Sequence, residues 1–87
     1  MGVALGRATL GLEGIVESIR LSSRSQRLWL RWRSTLIEVQ ASIEHFPHLL
    51  KVRRGQRLRL LDVTLSGLRH QPEARMTSYS EAFILED

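Results

Sequence analysis

The sequence predicts an all-β domain with one short helix, built as a five-stranded Greek-key barrel. Three observations carry this. The chain has 87 residues, the size of one small domain with one compact core. Apolar and polar side chains alternate through most of it, the period of a half-buried strand. One stretch between the third and fourth alternating runs takes helical spacing instead, and about five short strands so interrupted match a small closed barrel. Residues 12–87 are expected to form that barrel, with residues 1–11 as an N-terminal arm or lead-in.

Residues 1–11 are rich in small residues and glycine and show no period. Leu12 to Leu21 reads as a strand with Gly14 inside it, which suggests a bulge or tight curvature. Leu12, Gly14 and Val16 share a face, and the phase then shifts so that Ile19 and Leu21 can point the same way. Ser22 to Gln26 is a polar turn. Arg27 to Arg33 alternates strictly, with Leu28, Leu30 and Trp32 on the core face and Arg27, Trp29, Arg31 and Arg33 on the other. Thr35 to Ala41 alternates again: Ile37, Val39 and Ala41 face in, while Leu36, Glu38 and Gln40 face out. The two runs pair as a hairpin through a tight turn near Arg33-Ser34.

Ser42 to Val52 breaks the alternation. Ile43, Phe46, Leu49 and Leu50 follow helical spacing, and Pro47 keeps that helix short or broken. Gly55 stops it. Gln56 to Leu65 returns to alternation with a slip at Leu60-Leu61, a second candidate bulge. Ser66 to Glu73 is expected as a loop and Arg75 to Leu85 as the last strand.

On these residues the chain resembles an OB-fold domain of the type that binds single-stranded nucleic acid. The likeness rests on Gly14-Ile15-Val16-Glu17-Ser18-Ile19 as a curved first strand and on the Arg27–Arg33/Thr35–Ala41 hairpin. It rests also on the linking helix around Ile43–Val52 and on Val52-Arg53-Arg54-Gly55-Gln56-Arg57-Leu58 leading into the fourth strand. It covers residues 12–85. Another small barrel, SH3-like or of the transport-associated oxyanion-binding kind, is the alternative. The resemblance implies a ligand face on strands two and three, flanked by the loops joining strands one to two and four to five. Carried onto this sequence, that face presents Arg27, Trp29, Arg31 and Arg33 beside Leu36, Glu38 and Gln40. The first loop offers Arg24, and the second Arg69, His70 and Arg75. Tyr79 is a second candidate aromatic.

Charge points the same way. The formal net charge is +4, with thirteen basic and nine acidic side chains. Twelve of the basic residues but only four of the acidic ones fall between Ser18 and Arg75, so the centre is basic and the ends are acidic. Such a distribution favours an anionic partner, against the plainer meaning of a solvated surface. All but one of the basic residues are arginine, suited to phosphate forks and to stacking on bases, although codon preference produces the same bias. Arg57 and Arg59, with Lys51, Arg53 and Arg54, form a second basic run that reads as a phosphate track or as a solvated face. Trp29 is a large aromatic on the polar face between two arginines, placed either to stack on a base or to pack against a partner. Trp32, on the core face, reads as interior.

Other chemistries find little. There is no cysteine, which excludes disulfides, thiol catalysis and thiolate zinc sites and suits a cytoplasmic setting. His45 and His48 lie three apart near Glu44, but Pro47 stands between them and no third ligand is adjacent, so no metal is expected. No nucleophile elbow, Walker loop or dinucleotide fingerprint occurs, so neither catalysis nor a cofactor is expected. No apolar run approaches membrane-spanning length, and no signal-peptide pattern is seen. The expected function is a non-catalytic module that holds single-stranded DNA or RNA by stacking and arginine–phosphate contacts. The alternatives are a small adaptor subunit docking on a protein partner or on its own copies, and a small-oxyanion sensor.

Overall fold

The computed structural model of the chain describes residues 9–68 and 71–85. It comprises β1 (Thr9–Leu21), β2 (Ser25–Trp32), β3 (Thr35–Ser42), a 3₁₀ turn (Pro47–Lys51), β4 (Arg57–Leu68), β5 (Gln71–Arg75) and β6 (Glu81–Leu85). Of the expected arm, residues 1–8 lie outside the described residues. Five strands form a ring in the order β1-β2-β3-β5-β4, closed by pairing of β4 back onto β1. Every pairing is antiparallel except β3 with β5.

The ring closes because β1 is shared. Its first half pairs with β4 and its second half with β2, and Ile15 is paired on both sides, to Arg57 and to Arg31. Such a strand must curl, and Gly14 allows it: a Cβ there would lie 2.8 Å from the Arg31 carbonyl oxygen. Three residues later Glu17 is an extra residue between the Val16–Leu30 and Ser18–Trp29 pairs. That bulge produces the phase shift seen in the sequence, leaving Val16 buried and Ile19 packed against the core. Leu21 does not follow and is exposed. A second bulge falls on β4 between Leu60 and Val63, where Asp62 has φ 58°. Its carbonyl accepts a 2.6 Å hydrogen bond from the buried Ser80 hydroxyl.

Inward-facing Leu28, Leu30, Ile37, Val39, Leu58 and Leu60 are all but fully buried, each such side chain contributing roughly 1.5–3 kcal/mol. Phe46, Leu49 and Val52, from the 3₁₀ turn and its flanks, join the same core. Pro47 begins the turn, and Val52, in extended conformation, ends it after five residues. Gln26, expected in a polar turn, belongs to β2 and is buried, its side-chain amide donating to the Leu49 carbonyl at 3.0 Å. Arg53 to Gln56 forms a β-turn in which Gly55 has φ 90° and the Gln56 N–H reaches the Arg53 carbonyl at 3.2 Å. The Gln56 side chain accepts from the Arg53 N–H at 2.7 Å. The Arg54-Gly55-Gln56 sequence is thus a turn requirement, since only glycine enters that conformation without strain.

Three expectations need correction. Trp32 is not interior. It is 37% exposed, at the turn end of the β2–β3 hairpin, with the Arg33 guanidinium 4.8 Å from its ring centroid. The Ser66–Glu73 loop is mostly strand, because β4 runs on to Leu68 and β5 starts at Gln71. Of the expected last strand, Arg75 to Leu85, only Glu81–Leu85 forms a strand of its own, β6, while Arg75 ends β5. A turn at Thr77–Ser80, tied by the Ser80 N–H to the Thr77 carbonyl, separates β5 from β6. Both lie along the edge of β4 opposite β1, β5 beside its second half and β6 beside its first.

Gly14→Ala is expected to lower stability by about 1–3 kcal/mol, because the methyl group must displace backbone in a closed ring. Chemical denaturation followed by fluorescence measures this, and an unchanged midpoint would show that β1 tolerates a side chain at the crossing.

Candidate functional site

Cross-strand register sorts the outward side chains into rows. One row runs Arg20 (β1), Arg27 (β2), Gln40 (β3), Arg75 (β5) and Thr64 (β4). At about 4.8 Å between strands, its four members from Arg20 to Arg75 span roughly 14 Å. The next row runs Ser18, Trp29, Glu38, Glu73 and Ser66. A third carries Leu85, Arg57, Ile15, Arg31 and Leu36.

Arg20, Arg27 and Arg75 are exposed, and among the described residues none of them enters an ion pair. Arg24 joins them from the β1–β2 turn. Its carbonyl accepts from the Ile43 N–H at 3.1 Å, which holds the turn against the end of β3. A shallow hollow of about 330 Å³ there is lined by Arg24, Gln40, Arg75 and Met76 among others. Two residues along β3, a second hollow of about 340 Å³ contains Trp29, Leu36, Glu38 and Glu73. Trp29 is half-buried rather than fully open. Gln40 links the two hollows, its Nε2 donating to Glu38 Oε2 at 3.1 Å.

The structure therefore brings Arg24, Arg27, Trp29, Gln40 and Arg75 onto one face. The remaining candidates stand elsewhere or are engaged. Arg31 is ion-paired with Glu17, the bulge residue. Arg33 forms the hairpin tip with φ 58° and lies over Trp32. Arg57 and Arg59 line the β1–β4 wall and share Glu13, at 4.0 and 2.9 Å. Arg69 and His70 lie outside the described residues. Tyr79 is exposed in the turn before β6. His48 donates from Nε2 to the Ala82 carbonyl at 3.1 Å, while His45 contacts Ser42, so the two rings serve different local bonds. Among the described residues no helix is long and apolar enough to cross a membrane.

Sequence reasoning missed Arg20 and Glu73. The Glu17 bulge brings Arg20 to the outer face opposite Arg27, and the phase shift already noted in β1 was the available signal. Glu73 was hidden in the expected loop, and nothing in its own neighbourhood marks it as facing Glu38.

A five-stranded ring closed β1 to β4, with parallel β3 and β5 and a helical turn between β3 and β4, is the OB fold. No family model matches the sequence, and no curated protein matches it. Solved structures do. A replication factor A-related protein from Methanobacterium thermoautotrophicum aligns with a TM-score of 0.70 and 20% identity, over 92% of this chain and 83% of that one. The tetrameric p202 HIN2 aligns with a TM-score of 0.74 and 15% identity, over 90% of this chain and 42% of that one. The p204 HINb domain gives 0.70 and 18%, over 88% and 39%. The chain thus spans about two fifths of the length of the HIN structures. At these identities the likeness is one of fold.

Glu38 and Glu73 are direct cross-strand neighbours of like charge, an arrangement that opposes folding by roughly 0.2–1 kcal/mol. Glu73→Gln is expected to raise the thermal midpoint slightly. A lowered midpoint would show that the carboxylate is held by a partner that outweighs the repulsion.

Proposed function

We propose that the chain is a non-catalytic binding module that holds single-stranded DNA or RNA across the outer face of β1, β2, β3 and β5. One observation carries the reading: Arg20, Arg27 and Arg75 form a single transverse row with Gln40, unengaged by acids among the described residues, directly beside Trp29. Arginine heads so placed neutralise phosphates, and a half-buried indole keeps one face for a base. The resemblance in fold to a replication factor A-related protein supports the same reading. No bond is made or broken. The work is desolvation of a ring and release of counterions.

A second reading has its own observation on a different surface. Phe83 and Ile15 are 45% and 43% exposed, in neighbouring rows across β6, β4 and β1. That wall would dock on a protein partner or another copy of the chain, and the mass in solution measures it for self-association.

Anisotropy titration with a labelled single strand tests the first reading. Trp29→Ala is expected to weaken binding by roughly 1–3 kcal/mol. Arg27→Ala and Arg75→Ala should each reduce the log–log salt slope by about 0.7, as one lost phosphate contact does for a single strand. Arg59→Ala, whose cation is held by Glu13, should leave the slope unchanged. No affinity at low salt, or a slope that responds to Arg59 and not to Arg27, would overturn the assignment.

A further inference from the structure

The hollow over Trp29 has a composition that phosphate binding does not explain. Its apolar lining is Trp29, Leu36 and Pro72, and its polar lining is Glu38, Gln71 and Glu73. A volume of about 340 Å³ has room for one planar base. Two carboxylates stand side by side on adjacent strands, and neither is ion-paired among the described residues. Gln40 steadies Glu38 through a single 3.1 Å bond, while among the described residues no side-chain donor reaches Glu73. Ionised carboxylates only accept hydrogen bonds. The pocket therefore combines a stacking surface with two carboxylates that only donors can satisfy, beside Gln71, whose amide can both donate and accept.

We propose that this hollow is a base-selective pocket that takes guanine from a single strand, a proposal that rests on the nucleic-acid reading above and narrows it. Guanine alone presents two adjacent donors, N1–H and N2–H, on its Watson–Crick edge, and these match the two oxygens of one carboxylate. Thymine and uracil present one N–H between two carbonyl oxygens, whose lone pairs would face the glutamates. Cytosine and adenine present one amino group beside a ring-nitrogen acceptor. Unstacked bases in single strands are read on this edge, and bonds to an ionised acceptor are the strong ones. The arginine row lies one row away from the carboxylates, so the phosphates of the same strand can pair with cations while the base edge reaches the acids. Gln40 is a positioning residue, orienting Glu38 from between Arg27 and Arg75.

The test is anisotropy titration of the full chain with labelled ten-nucleotide strands. One is all thymidine, one carries a central deoxyguanosine, and one carries deoxyinosine, which lacks the N2 amine. The deoxyguanosine strand is expected to bind about tenfold more tightly than the thymidine strand, with deoxyinosine between them, in line with the discrimination one bidentate pair gives. Glu38→Gln and Glu73→Gln together should bring the preference to within about twofold, with the thymidine affinity kept or raised as repulsion of the strand falls. The unfolding midpoint of the double variant confirms that it folds. Equal binding of all three strands by the unaltered chain would overturn the base pocket while leaving the binding module standing, and would turn the carboxylates toward an arginine-bearing protein segment. A preference that survives both substitutions would also overturn it. Absence of binding by every strand would remove both.

Discussion

The outer face that gathers the cations depends on a constraint placed on β1. This strand pairs with β4 through its first half and with β2 through its second, and both changes of partner and of direction happen between Gly14 and Ser18. Gly14 lets the Arg31 carbonyl approach closely, and Glu17 adds the residue that resets the phase. A one-residue shift in a strand moves every later side chain to the opposite face. Without Glu17 as a bulge, Arg20 would point into the core, and Ile19 would stand among the arginines. The same residue then uses its carboxylate to engage Arg31. Closure of the ring and the composition of its outer face therefore share one local cause.

Much of this was legible from residue order because β2 and β3 are long, alternate without a break and are buried on one side only. For such strands the apolar phase decides which side chains face water, and Leu28, Leu30, Ile37, Val39 and Ala41 all lie where alternation puts them. The phase argument fails where a strand outruns the barrel. Trp32 has the inward phase but sits at the hairpin tip, where no opposing wall covers it. It fails too for β5, whose Gln71-Pro72-Glu73-Ala74-Arg75 has only Ala74 buried. That strand exists because β3 and β4 offer it two edges, a tertiary cause that leaves little trace in its own residues. The helical spacing from Ser42 to Val52 likewise overstated a single 3₁₀ turn, since Pro47 starts the turn and cannot sit inside a longer helix.

The candidate site was legible to the same extent and for the same reason. Arg27, Trp29 and Gln40 lie on β2 and β3, and their grouping follows from alternation and one hairpin register. Arg75 and Glu73 reach that group only through parallel pairing of β5 with β3, a contact between segments more than thirty residues apart. Arg57 and Arg59 share the outward phase but belong to a strand on the other side of β1, where Glu13 meets them. Counting arginines in the sequence could not separate the cations engaged by acids from those that, among the described residues, enter no ion pair.

That separation gives the surface its polarity. On the β1–β4 wall and at the bulge, Glu13 engages Arg59 and Arg57 and Glu17 engages Arg31, two acids against three cations, and exposed pairs of this kind add little stability, about 0–1 kcal/mol each. Their larger consequence is electrostatic: they offset part of the positive charge on that side of the barrel. The row of Arg20, Arg27 and Arg75 keeps its charge, and the neighbouring row keeps two carboxylates beside an indole. Positive and negative zones thus lie one row apart, roughly 7 Å along the strands, inside the screening length of about 8 Å at physiological salt. A ligand of uniform negative charge would be drawn to one zone and repelled by the other. A chain whose phosphates and donor-bearing base edges lie on opposite sides of its sugars meets both zones favourably in one orientation, and this is the physical ground on which the proposal names a single strand and not a simple anion.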